Sequence, residues 1–343
     1  MLVKKSQMEK KERLHGADFV RGYAMLMIVL FHAFVQLLSF NMGKYPFTFF
    51  ANGDFGLKGV TLFFACSGAV LYYNHASIKL NTKEIGAFYK KRWMSIFPAF
   101  YLVWLGEYIH RVLINRSFFF NGNPLSMILS LFGMDGYFSY LVQKNYYIVG
   151  EWFLGAIIIL YLLFPLINAC FQKNAPITLI ITALCSYLPI GLSFWKIIMD
   201  RNIFICLLSF VFGMYYIKYR EKIINRITFI IAVILDVVLL CVHISDFYYI
   251  RLVSGYLAFV VLYELGSYIM MNEKIKRPIC FLSGISYEVF LVHHLVIGNI
   301  ISDPRPMPLY MQWAFVAYTV IYSVAMGWLV HSIAKYIIKY ITK

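Results

Sequence analysis

The sequence predicts an all-α protein, a polytopic membrane bundle of about ten transmembrane helices. Its 343 residues are 61% hydrophobic and only 14% charged, whereas soluble domains average about 45–50% apolar and about 25% charged residues. Apolar runs close to the roughly 20 residues that span a bilayer recur along the whole chain. They cover residues 17–40, 56–73, 93–113, 150–170, 176–194, 202–219, 227–244, 250–270, 278–300 and 311–338.

One further stretch, 118–141, is apolar but is broken by residues that favour turns. These are Asn121, Gly122, Pro124, Gly133 and Gly136. We interpret it as a short re-entrant or interfacial segment; if it spans instead, the count rises to eleven. We expect residues 1–343 to form a single transmembrane domain, with a short basic cytoplasmic tail at 1–16 and no soluble domain.

The distribution of Lys and Arg predicts the orientation. With ten spans, 21 of these residues fall in the segments on the side of the amino terminus and nine in the opposite segments. Because cytoplasmic loops carry an excess of Lys and Arg, we expect a multi-pass protein of the cell membrane with both termini in the cytoplasm and loop 111–149 outside. The cations lie between apolar runs instead of forming one groove, so the net charge of +15 does not indicate nucleic acid as a partner; membrane lipid is the expected one. The six cysteines form no CxxC pair and suit packing better than metal binding or disulfides.

The first apolar run carries three ionisable residues that predict a polar face on one helix. Arg21 and His32 are eleven residues apart, which is about three turns, so they share a face and lie about 16 Å apart along the axis. Asp18 precedes Arg21 by one turn and is able to pair with it. Ionisable residues inside a span usually face protein or water because lipid excludes them. The alternative is a histidine that only packs and an arginine that reaches the interface.

Two other runs place ionisable residues at a similar depth. Glu151 opens the run at 150–170, and His293 lies well inside the run at 278–300. We expect them to meet His32, although Glu151 also suits a helix amino terminus. His293 and His294 point to different faces, so we expect only one of them to join this cluster. No further ligand is seen at a metal-binding spacing, and no metal is expected.

Three adjacent cations, Lys90, Lys91 and Arg92, begin the third run. They suit orientation or anionic lipid, and Arg also suits the phosphates of a nucleotide-like donor. In the second run, Ser67 and Gly68 suit close helix packing.

The chain resembles the membrane acyltransferase-3 family in five motifs that occur in the same order over about residues 18–294. The motifs are Asp18…Arg21-Gly22…Ala24…His32, Leu62-Phe63-Phe64…Ser67-Gly68, Arg92…Pro98, Glu151-Trp152-Phe153-Leu154 and Ser286-Tyr287…His293. The spacing between Arg21 and His32 is the most specific of them. Family members often carry a second Arg three residues after the first, whereas this chain has Ser95 there.

The resemblance implies an O-acyltransferase that moves an acyl group, usually acetyl, from cytoplasmic acyl-coenzyme A to a hydroxyl of a cell-surface or periplasmic glycan. It implies His32 as the catalytic histidine and Arg21 as its partner, and we group Asp18 and Glu151 with them. Arg92, with Lys90 and Lys91, would bind the donor. Trp152, Tyr287 and His293 would contact the acceptor. Acyl-coenzyme A is a donor substrate in this scheme, and no permanently bound cofactor is expected.

Two other classes of function are open to this sequence. A polysaccharide exporter or proton-coupled transporter would use the acid and base residues as a proton relay, although transporters often show inverted repeats and none is visible. A structural scaffold leaves Arg21, His32 and Glu151 without a reason to be inside a membrane. The acceptor sugar, the acyl chain and the oligomeric state do not follow from the sequence.

Overall fold

A computed structural model of the chain is a bundle of α-helices, with no β-strand among the residues that the structure describes. The described residues are 12–40, 42, 55–120, 122–140, 142, 146, 149–191, 201–241, 248–300 and 306–342. The helices are α1 (His15–Ser39), α2 (Phe55–His75), α3 (Thr82–Asn115), α4 (Met127–Leu131), α5 (Trp152–Lys173), α6 (Ala175–Gly191), α7 (Ile203–Ile223), α8 (Arg226–Cys241), α9 (Tyr248–Ile269), α10 (Glu273–Ile300) and α11 (Leu309–Ile341). The all-α class is therefore confirmed.

Each of the ten predicted apolar runs falls on a helix of its own, and the chain is a multi-pass membrane protein. Among the described residues, seven helices are long and apolar enough to cross a membrane, namely α1, α2, α5, α7, α9, α10 and α11. Within the described residues α6 and α8 have only 17 and 16 residues, and the first third of α3 is strongly charged. The count of about ten spans therefore stays a prediction.

The described part of the stretch 118–141 contains no helix long enough to span a membrane. It forms a 3₁₀ turn at Pro124–Ser126 and the five-residue α4. Trp104 of α3 donates to the Ser130 hydroxyl (3.1 Å), which donates to Asp135 (2.7 Å). These bonds hold the segment against α3, and its re-entrant or interfacial position stays a prediction. The first eleven residues of the basic tail, and Lys144 in the loop that follows, lie outside the described residues.

The bundle has two ends, which we name from α1. The near end is where α1, α3 and α10 begin and α11 ends; the far end is where α1 ends and α2 begins. Asp18, early in α1, accepts a hydrogen bond from Ser283, early in α10 (2.8 Å). The Tyr287 hydroxyl, one turn further along α10, donates to the carbonyl of Ile96 in α3 (3.2 Å). These bonds bring the three helices together at the near end.

The crossing of α2 and α7 depends on two glycines that leave no room for a side chain. A Cβ on Gly68 would lie 1.9 Å from the Phe210 carbonyl oxygen, and one on Gly213 would lie 1.8 Å from the Ala65 carbonyl oxygen. Helices in lipid associate through close packing of small residues, because lipid provides no hydrophobic drive between them. This contact agrees with the packing role expected of Gly68.

Gly68→Ala is expected to destabilise the protein, because the backbones of α2 and α7 must separate to admit a methyl group. Overpacking of this kind costs about 1–3 kcal/mol. Gly86→Ala is the matched control, since a Cβ there meets nothing within 4 Å. Thermal unfolding of both variants in detergent tests this expectation. Equal melting temperatures for Gly68→Ala and wild type would show that the crossing is looser than described.

Candidate active site

A cavity of about 520 Å³ opens at the near end between α1, α2, α3, α5, α10 and α11. This near cavity has the size of an ordinary small-molecule site, about 300–1,000 Å³. Polar and charged side chains on its wall are Arg21, Ser67, Ser95, Tyr161, Ser283, Ser286, Tyr287, Glu288, His331 and Lys335. Two cations, one carboxylate and one imidazole therefore face the same space.

Asp18 does not use Arg21 as its hydrogen-bond partner among the described residues. Its buried carboxylate accepts from Arg13 Nη2 (2.9 Å) and from the Ser283 hydroxyl (2.8 Å). This bond to Asp18 raises the pKa of the Arg13 guanidinium. The expected pairing of Asp18 with Arg21 is replaced by one with Arg13, because Arg13 lies before α1 and its long side chain folds back onto the first turn. Arg21 instead lies beside the Cys66 thiol and faces the near cavity.

A second, smaller cavity of about 220 Å³ lies toward the far end. His32, Glu151, Trp152 and Arg201 contribute polar groups to this far cavity. Phe153 of α5 and Phe290 of α10 line both cavities, with their ring centroids 5.3 Å apart at an interplanar angle of 68°. We call these two rings the aromatic partition. Arg21 and His32 share a face of α1, but Arg21 lines the near cavity and His32 lines the far cavity, on opposite sides of the aromatic partition.

A chain of two hydrogen bonds orients the His32 ring. His293 Nδ1 lies 2.6 Å from the Phe290 carbonyl oxygen, and His293 Nε2 lies 2.9 Å from His32 Nδ1. A carbonyl oxygen only accepts, so His293 Nδ1 carries the proton and His293 Nε2 must accept from His32 Nδ1–H. The hydrogen-bond pattern therefore assigns the unprotonated nitrogen of neutral His32 to Nε2. His32 is left with a proton acceptor on a ring that lines the far cavity.

Both histidines of α10 belong to the cluster, so the expectation that only one of them joins it is wrong. The His32 ring centroid lies 5.0 Å from that of His293 and 4.2 Å from that of His294. Successive residues differ by about 100° around a helix, and α1 packs against the edge of α10 that lies between these two positions. His294 Nε2 in turn lies 3.0 Å from Glu151 Oε1. Glu151 reaches the cluster through His294, and its side chain makes no capping bond to α5.

The three residues expected to contact an acceptor lie at different places. Trp152 lines the far cavity, with the Arg201 guanidinium carbon 5.9 Å from its ring centroid. Tyr287 lines the near cavity. His293 is fully buried behind His32 and is not among the residues lining either cavity.

The three residues expected to bind a donor lie outside the near cavity. Arg92 lines a separate apolar groove of about 430 Å³ between α3, α4 and α5, and its guanidinium lies 5.9 Å from the ring centroids of Phe88 and Tyr161. Lys90 and Lys91 are exposed near the beginning of α3. Tyr161 lines both the groove and the near cavity, so Arg92 approaches the cavity from its side.

The histidine cluster also has the composition of a metal site. One ring nitrogen from each of His32, His293 and His294 lies within 4.8 Å of the others. A bound ion would compete with the hydrogen bond between His32 and His293. A second group near the amino terminus, His15, Asp18 and Cys280, meets the same distance limit, but the Asp18 carboxylate there already accepts from Arg13 and Ser283. The expectation of no metal remains untested.

The sequence reasoning missed three ionisable residues that line the near cavity, and of the two neighbouring histidines it selected His293 alone. His294 joins the far cluster, and Glu288, His331 and Lys335 line the near cavity. All four fall inside predicted apolar runs. An ionisable residue inside a span is a site candidate by default, and applying that rule to every such residue would have identified them.

The chain matches a known protein family over most of its length. A family model of the acyltransferase-3 type, described as an acyltransferase domain, matches residues 14–332. The curated proteins and the solved structures each gave no match. The matched range includes all the cavity residues named above except Lys335.

Proposed function

The chain belongs to the acyltransferase-3 family and is a membrane acyltransferase, and we propose that it moves an acyl group, acetyl in the first place, from cytoplasmic acyl-coenzyme A to a hydroxyl of a cell-surface or periplasmic glycan. One observation carries the proposal. A cavity with cations and a cavity with a proton-accepting histidine open toward opposite ends of the bundle and meet at the aromatic partition. Such a pair of sites suits a donor and an acceptor on the two sides of a membrane.

The proposal has the near end in the cytoplasm, and the excess of Lys and Arg in the segments of that end supports this orientation. A coenzyme A donor carries phosphates, which cations attract and which do not cross lipid unaided. Arg21 and Lys335 face the near cavity, while Lys90, Lys91 and Arg92 form a basic rim at the inner part of α3. The thioester would enter the near cavity with its acyl group toward the aromatic partition and its phosphates toward these cations.

His32 is the proposed general base for the acceptor hydroxyl. Its Nε2 is unprotonated in the neutral ring, and Nδ1 is held by His293. A base must lie within hydrogen-bond reach of the proton it takes, and its correct nitrogen must face the substrate. In this scheme His293 is a positioning residue instead of an acceptor contact. Trp152 and Arg201 supply a ring and a cation to the wall of the acceptor cavity.

A proton-coupled transporter is the alternative of another class, since His32, His293, His294 and Glu151 form a connected titratable cluster. The two functions differ in their use of a thioester. Release of coenzyme A by the purified protein, in step with ester formation on the glycan, supports the acyltransferase. Acceptor movement without thioester consumption would support the transporter.

Orientation is tested by labelling single cysteines in a variant from which the six native cysteines have been removed. Lys79→Cys at the near end and Arg116→Cys at the far end are both exposed positions. A membrane-impermeant maleimide is expected to label Arg116→Cys in intact cells and Lys79→Cys only after permeabilisation. The reverse pattern would place the near cavity outside and remove the donor assignment.

His32→Ala is expected to lower acyl transfer by about 10²–10⁴, the usual contribution of a general base. The protein should still insert, because the ring lines a cavity instead of filling the core. His110→Ala is the matched control, since His110 lies at the far part of α3 and pairs with Glu107. Ester formed on surface glycans, quantified by mass spectrometry and divided by protein amount, is the measurement. Activity of His32→Ala close to that of the control would exclude His32 as the base.

Donor affinity is expected to depend most on Lys335, one of the two cations that line the near cavity. Lys335→Ala should raise the donor KM about tenfold to a hundredfold, as for the loss of a charged hydrogen bond of about 1.5–3 kcal/mol. Arg92→Ala should raise the donor KM less, because Arg92 lines the neighbouring groove, and Lys90→Ala least, because Lys90 lines neither space. A donor titration at fixed acceptor in membranes of each variant measures the order. A large shift for Arg92→Ala with none for Lys335→Ala would move the donor to the groove beside α3.

A further inference from the structure

A carboxylate and an imidazole form a pair on the wall of the near cavity, separate from the His32 cluster. Glu288 Oε1 lies 2.9 Å from His331 Nδ1, and this contact joins α10 to α11. Both side chains line the near cavity. Neither has a part in binding the donor phosphates or in activating the acceptor as described above.

The geometry of the pair fixes which ring nitrogen is available to a ligand. The ionised carboxylate only accepts, so His331 Nδ1 carries a proton and Nε2 is the nitrogen left for the cavity. Glu288 is 8% exposed, and its Oε2 has no hydrogen-bond partner among the described residues. A buried carboxylate is costly unless a positive group lies beside it. The pair is therefore suited to hold a proton on both nitrogens of His331 and to give up the one on Nε2.

The other ionisable groups that line this cavity do not suit the same task. Arg21 and Lys335 are assigned to the donor phosphates, and the Tyr287 hydroxyl already donates to the carbonyl of Ile96. Tyr161 is a phenol, and phenols as a class are weaker acids than imidazolium. Histidine is the side chain that exchanges protons near pH 7. Among the described residues lining the near cavity, His331 is the one histidine.

Building on the proposed function, we propose that Glu288 and His331 form the general acid on the donor side of the reaction. The acceptor hydroxyl gives its proton to His32 Nε2, and its oxygen forms a bond to the acyl carbon. The bond between carbon and sulfur breaks, and its electron pair goes to the sulfur. His331 Nε2 gives its proton to that sulfur, so the products are the ester and free thiol. His331 then regains a proton from water at the near end, and His32 releases one at the far end.

A general acid and a purely structural pair between α10 and α11 differ in their dependence on the leaving group. An alkyl thiolate such as that of coenzyme A gains from protonation as it leaves. A nitrophenyl thiolate is a much weaker base and leaves without a proton. Loss of a general acid therefore slows transfer from acetyl-coenzyme A far more than transfer from an acetyl aryl thioester, whereas a packing defect slows both.

The experiment compares acetyl-coenzyme A with S-acetyl-4-nitrothiophenol as donors for wild type, His331→Gln, Glu288→Gln and His32→Ala. Each variant replaces the wild-type chain in the source organism, and inside-out membrane vesicles supply the native acceptor. Thiol release and ester formation are read together, with vesicles that lack the protein as background. His75→Gln is the matched control, because His75 lies near the same end of the bundle but is not among the residues lining the near cavity. The rate of each variant is divided by the wild-type rate with the same donor. This ratio removes the difference between the two donors in how well the wild-type protein binds them.

His331→Gln should lose about 10²–10⁴ with acetyl-coenzyme A and less than roughly tenfold with the aryl thioester. Glu288→Gln keeps an oxygen that accepts from Nδ1 but removes the charge, so it should show the same pattern with a smaller loss. His32→Ala should lose the same factor with both donors. Equal losses of His331→Gln with both donors, or no loss at all, would overturn the inference. If wild type transfers acyl from neither donor, the proposed function itself fails.

Discussion

Two polar bonds between α1 and α10 fix the relative position of these helices, and the arrangement of both cavities depends on them. Ser283 donates to Asp18 near one end of the contact, and His32 bonds to His293 near the other (2.8 and 2.9 Å). A polar group without a partner in apolar surroundings is costly, so sliding one helix along the other by a turn would break both bonds at once. The register that results places Arg21 on the near cavity and His32 on the far one.

The same requirement for partners explains several charges that line neither cavity. Lys58 of α2 bonds to Asp236 of α8 (2.7 Å), and both are buried. Arg220 of α7 holds Glu264 of α9 with two bonds (2.6 and 2.8 Å). Removing one partner of a buried pair such as Lys58 and Asp236 usually costs about 3–5 kcal/mol. These pairs hold α8 against α2 and α9 against α7 without using any residue that lines the near or the far cavity.

The sequence predicts the features that depend on a single helix, but it does not predict the side-chain contacts between two helices. The shared face of Arg21 and His32 follows from 3.6 residues per turn, and the structure has them on one side of α1. The contacts of Asp18 and Glu151 do not follow from the sequence, because Arg13 and His294 reach these carboxylates through side-chain length and helix packing. Helix periodicity also assigned His293 and His294 to different faces of α10, yet the His32 ring of α1 contacts both of their rings. The pairing of Glu288 with His331 joins residues 43 positions apart and needs the crossing of α10 and α11.

Length and composition are enough to identify the seven apolar helices, but they do not determine the total number of spans. The described parts of α6 and α8 are close to the minimum length for a span, and α3 combines a charged beginning with an apolar remainder. For such helices the crossing depends on tilt and on neighbouring helices, which residue type alone does not determine. The cavities themselves are formed by several helices at once, so their positions were not predictable from any one segment.

The aromatic partition has an electrical consequence for the proposed reaction. In the proposed reaction the two phenyl rings would divide a space on the cytoplasmic side from one on the outer side, and only the acyl group would pass between them. The donor side takes up one proton and the acceptor side releases one, so each turnover moves one positive charge outward. Against an inside-negative voltage this requires about 2.3 kcal/mol per 100 mV. Modification of the envelope would thus respond to the energetic state of the membrane, with the thioester supplying the difference.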